Sequence, residues 1–119
     1  MKSNTDIIRM ALEILGVIGA GQAVEAEDHD RVLGVMSGTV ATLDARHVGN
    51  FVAFFQANEF PDEFYMPVAT LVARDACASY GFGGSDLMAL QARGDDAEIT
   101  IRAIYPSERG AQPVETEYF

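Results

Sequence analysis

Apolar residues recur at Ile7, Ala11, Ile14 and Ile18, with Ile8, Leu12 and Leu15 beside them, a spacing that predicts a helix near the start of the chain. Ser3, Asn4 and Thr5 offer caps, and Asp6 suits the positive end of the helix. At 100° per residue the polar side narrows to Asp6, Arg9, Glu13 and Gly16, so this helix needs neighbours on several sides. Gly19 and Gly21 are expected to end it. The acidic run Glu25 to Asp30 then opens a second helix, where its charges offset unpaired amides. Val32, Leu33, Met36, Val40 and Leu43 form the inward stripe of that helix. Gly34, Gly38, Ala41 and Ala45 form a second stripe of very small residues, which allows another backbone to approach closely.

His47 to Phe60 has neither alternation nor helical spacing. It carries Gly49, Asn50 and four phenylalanines, Phe51, Phe54, Phe55 and Phe60, and reads as an irregular or hairpin-like excursion. Such a segment either fills a core from a loop or awaits a neighbouring molecule. Pro61, Asp62 and Glu63 open a third helix, along which Phe64, Val68, Leu71, Val72 and Cys77 can pack. Pro67 either kinks it or marks its true start after a separate turn. Gly81, Gly83 and Gly84 close it, and Ser85 can cap the next element. In the last segment Leu87, Leu90, Ala97, Ile101 and Ile104 follow a helical seam, while Ile99, Ile101 and Ala103 alternate as a strand would. A turn at Gly94, Asp95 and Asp96 into a strand therefore stays open beside the helix. Pro106 is expected to stop either element, which leaves residues 106–119 as an extended tail after a helical domain over 1–105. The expected fold is mainly α, a small bundle of about four helices with the phenylalanine-rich excursion between helices two and three.

Composition narrows the function. Eighteen acids against eight bases give a formal charge of −10, the wrong sign for binding nucleic acid through its phosphates. The same charge would suit a passage through which DNA slides without sticking. Cys77 is the single cysteine, so no intramolecular disulfide and no thiolate cluster can form, and a reducing compartment fits. The longest stretches free of charged residues, Val32 to Leu43 and His47 to Asn58, are too short to span a bilayer, and Arg9 and Glu13 interrupt the only candidate leader.

Candidate chemistry is sparse. Asp28, His29 and Asp30 are adjacent on a helix and point apart, and His47 is the only other histidine, so no metal site is expected. Gly19-Ala20-Gly21 follows a helix and lacks the third glycine of a dinucleotide fingerprint. Gly81-Phe82-Gly83-Gly84-Ser85 has the outline of an anion cradle but no lysine, and its Ser-Asp-Leu order reverses that of an acyl carrier's Asp-Ser-Leu. Arg74 and Asp75 diverge, and Cys77 reads as a small buried hydrophobe. The reading is of a protein without catalytic, cofactor or metal residues.

The order of elements resembles a known family. An opening helix from Asp6 to Gly21 is followed by an acidic start at Ala26-Glu27-Asp28 and a long second helix. After Phe60-Pro61-Asp62-Glu63 comes an alanine-rich helix ending Ala78-Ser79-Tyr80-Gly81, then a final segment and the terminus Glu117-Tyr118-Phe119. This resembles the head-to-tail connectors of tailed bacteriophages, the adaptor or tail accessory factor group of podovirus type. The resemblance implies a helical bundle whose copies form a ring, usually twelvefold, under the portal of a filled head. The ring would extend the DNA channel, meet the next tail component and perform no catalysis, in the virion neck after assembly in the host cytoplasm. On that reading Gly34, Gly38, Phe51, Phe54 and Phe55 are expected at subunit interfaces. Val114, Glu117, Tyr118 and Phe119 are expected to dock the tail on the portal or an adjacent subunit. The competing reading is an acidic interaction module that binds a basic partner by charge.

Overall fold

Helix α1 (Asn4–Ile14) begins where Ser3 closes a capping box: its hydroxyl accepts from the Asp6 amide at 3.1 Å, and its own N–H donates to the Asp6 carboxylate at 3.0 Å. In this computed structural model, which describes residues 1–47 and 49–109, α1 ends one turn earlier than Gly19 and Gly21 suggest. Gly16 adopts φ +74°, its N–H reaches the Glu13 carbonyl, and the Val17 N–H reaches the Leu12 carbonyl, the paired bonds of a Schellman ending. A glycine two residues past the helix satisfies those carbonyls sooner than the later glycines could.

Helix α2 (Ala26–His47) starts in the acidic run as expected and buries Val32, Met36, Val40 and Leu43 on one side. The phenylalanine segment is not a hairpin. It forms a fifth helix, α3 (Phe51–Ala57), so the described residues hold five helices where about four were expected. The reason lies upstream: the Asp44 carboxylate on α2 accepts from the Phe51 and Val52 amides at 2.7 and 3.1 Å, satisfying the free donors of a short helix that has no local side-chain cap. Asn58, at φ 59°, closes it. Phe60 then pairs with Lys2 through two backbone bonds of 2.9 and 2.8 Å, stitching this segment to the N-terminus.

Pro61 leads into a 3-10 turn (Asp62–Phe64), and α4 (Tyr65–Ala76) follows with Pro67 in its first turn, where a missing N–H costs nothing. Pro67 therefore marks a helix start after a separate turn and introduces no kink. Helix α4 buries seven of its twelve residues and is the centre of the molecule, packed by α1, α2 and α5. After a 3-10 turn (Cys77–Tyr80) and Gly81 at φ +80°, α5 (Gly84–Arg109) runs for 26 residues. Ser85 lies inside its first turn and is not its cap.

The strand alternative for the last segment does not occur. Helix α5 continues through Gly94, which is buried, because the Arg74 side chain crosses there: a Cβ at Gly94 would stand 2.7 Å from Arg74 Cδ. Nor does Pro106 stop the helix, which reaches Arg109 beyond the expected boundary at 105. Between α2 and α4, Thr39 is 4% exposed and donates to Asp75 at 2.6 Å. Arg46 bonds Glu98 at 2.7 Å and ties α2 to α5.

Candidate interaction surfaces

The expected interface residues divide into two groups once the chain is folded. Phe51 is fully buried, edge-on to Phe64 with centroids 5.1 Å apart and to Phe54 at 5.9 Å. Phe54 also meets Phe60 at 5.7 Å, and Phe54 and Phe55 are half-buried against the core. Most of the phenylalanine surface thus closes the bundle from below α3, and Phe51 is corrected from subunit interface to core. An aromatic cluster of this kind is worth more to the fold than to a neighbour, since edge-to-face packing adds to simple burial.

Gly34 and Gly38 behave differently. Both are exposed, and a Cβ built on either would meet nothing within 4 Å. The close approach expected of this stripe is therefore not made among the described residues. Around them Ser37, Ala41, Thr42 and Ala45 are exposed as well, so the outward side of α2 carries no charged or bulky side chain over three turns. On a chain with a formal charge of −10 this is an unusual stretch of solvent-facing helix. Each glycine costs about 1 kcal/mol relative to alanine, and no contact among the described residues offsets that cost.

A second surface is not apparent until the chain is folded. On α5 Met88 is 70% and Ile99 54% exposed, on the side opposite the buried Leu90, Ala97 and Ile101. The spacing of Met88, Ala92 and Ile99 is present in the sequence, but it becomes a helix face only once the strand alternative at Ile99 is discarded. The expected tail-docking residues Val114, Glu117, Tyr118 and Phe119 lie outside the described residues.

Two clefts line α5. The larger, about 440 Å³, lies between α4 and α5 on a floor of Met66, Pro67 and Ala97, with Glu63, Arg93 and Asp96 around it. The other, about 290 Å³, is lined by Ile14, Phe82, Asp86, Leu90 and Arg93. Neither brings together a nucleophile and a hydrogen-bonded base. Cys77 is buried, and among the described residues no three or more potential metal ligands converge. The Tyr80 hydroxyl donates to Asp28 at 2.8 Å, and burial together with that carboxylate pushes its pKa up. Asp6 is held below the usual carboxylate range, chiefly by the Ser3 amide that donates to it. No helix among the described residues is long and apolar enough to cross a membrane. Comparison with known protein families, with curated proteins and with solved structures finds no match to this chain.

Proposed function

We propose that this protein is a structural part of a phage neck, a head-to-tail connector whose copies assemble beneath the portal, extend the DNA channel and receive the next tail component. The observation that carries the reading is the outward side of α2: three turns of exposed glycine, alanine and small hydroxyl residues on a strongly acidic chain. A face without charge or bulk suits close contact with another helix, whereas a module that captures basic partners would spread its acids over the surface it uses. The acidic balance also supports a channel role, because carboxylates offer the phosphates of passing DNA no ion pairs. A small, mainly helical bundle is compatible with that reading.

In this reading Val114, Glu117, Tyr118 and Phe119 anchor the tail on the portal or on an adjacent subunit. The test is sedimentation of the purified protein with DNA-filled, portal-bearing heads that lack their connector. Co-sedimentation that persists as salt rises is expected, since apolar contacts are little screened. Release by moderate salt would favour the charge-driven module, and no binding to any portal vertex would refute the connector. Removal of Glu115 to Phe119 is expected to weaken attachment.

A further inference from the structure

We infer that the outward side of α5 in one copy packs antiparallel on the outward side of α2 in the next. This deepens the connector reading by naming the contact between copies. Helix α5 carries apolar residues on two opposite sides, the outer one interrupted by Asp95. Leu90, Ala97 and Ile101 face α4, while Met88, Ala92 and Ile99 project about half a turn away into solvent. A helix apolar on one stripe has one packing partner; a second stripe opposite the first belongs against a second layer.

A second copy supplies that layer through its α2. Gly34, Gly38, Ala41 and Ala45 succeed one another at intervals of four, three and four residues. Met88, Ala92, Asp95 and Ile99 repeat the same intervals on α5, and all eight positions are exposed. Laid antiparallel, the two rows fall in register over about 17 Å of helix. Ile99 then stands over Gly34 and Met88 over Ala45, the two largest side chains against two of the smallest, with Ala92 over Ala41 between them.

The polar residues agree with the same register. Asp95 meets Gly38, beside Ser37, whose hydroxyl can donate to it. Arg102, a turn beyond Ile99, comes beside Asp30 on the same flank of the pair, so the acidic start of α2 faces a guanidinium. Both Asp30 and Arg102 are exposed in the subunit. The two surfaces differ, so after pairing one copy keeps its α2 side free and the other its α5 side; the contact is heterologous and repeats into a ring or a filament. Its small extent makes a single pair weak, and closure of the ring supplies what the pair lacks.

The register is tested with the full-length chain in a Cys77→Ala background. Ala41→Cys and Ala92→Cys together, under mild oxidation, are expected to give a ladder of trimers and larger species on a non-reducing gel, a mixture of the two single-cysteine chains to give the heterodimer, and either single-cysteine chain by itself to stay monomeric. A charge exchange is the second arm. Asp30→Arg or Arg102→Asp alone is expected to weaken self-association, measured by analytical ultracentrifugation, about fivefold, and the double exchange to restore it. A double-cysteine chain that cross-links no further than its singles, or an exchange without restoration, overturns the inference. These assays contain no portal: attachment to heads without the ladder would leave the connector reading standing, and the ladder without attachment would leave only the contact between copies.

Discussion

Replacing Gly34 and Gly38 by alanine isolates the cost of the bare face on α2. Neither position is crowded, for an added Cβ meets nothing within 4 Å, and neither has the positive φ that would make a side chain strained. The effect within the subunit then reduces to intrinsic helix preference, about 1 kcal/mol of stabilisation for each substitution. For a chain of 119 residues the unfolding entropy near the midpoint is about 0.25 kcal/mol per kelvin, so each change is expected to raise Tm by about 4 °C and the pair by about 8 °C. Differential scanning calorimetry on dilute protein, where subunits are separate, measures this directly. The two values are expected to add, since the methyl groups touch no shared partner. A fall in Tm for either variant would refute the reasoning, because it would mean that the subunit itself packs something on this face.

Individual contacts set further expectations. Asp44→Ala strips the carboxylate from two amides of α3 and is expected to cost about 1 to 2 kcal/mol in urea unfolding, with Asp44→Asn in between. Phe51→Ala, at a fully buried site, is expected to cost about 3 to 5 kcal/mol, the mark of a core residue, measured by the same titration. Gly16→Ala forces a side chain into left-handed backbone and is expected to lose about 1 kcal/mol with no steric contribution, since nothing lies within 4 Å. Because the Asp6 pKa is lowered on folding, its contribution is present above the ordinary carboxylate value near 3.8 and is lost as pH falls through the lower folded value. Asp6→Asn is therefore expected to flatten the acid limb of the stability profile, monitored by circular dichroism, with little change in its shape above that range.

The parts of the fold legible in the sequence are those fixed by neighbours in the chain. Ser3 and Asp6, three residues apart, announce the start of α1, and the stripe from Val32 to Leu43 announces the buried side of α2. The illegible parts depend on residues that meet only after folding. The cap of α3 comes from Asp44 on another helix, and without it Phe51 to Ala57 has no visible reason to coil. Gly94 looks like a break until Arg74 is found lying across it. The α2 half of the candidate interface is visible as a row of small residues; the α5 half is hidden by Ile99, Ile101 and Ala103, whose alternation fits a strand as well as a helix. Phe51 points to a neighbour in the sequence and to the core in the fold, because aromatic density in an aperiodic segment gives no direction.

The crossing of Arg74 over Gly94 is the tightest fit that any glycine of the described residues makes. An ideal Cβ at Gly94 would stand 2.7 Å from Arg74 Cδ and 3.1 Å from its Nη1, so the arginine lies over the helix where glycine leaves room for it. The long helix is therefore seated on α4 most closely at this one glycine, and a residue with a side chain at that position would have to push the arginine aside.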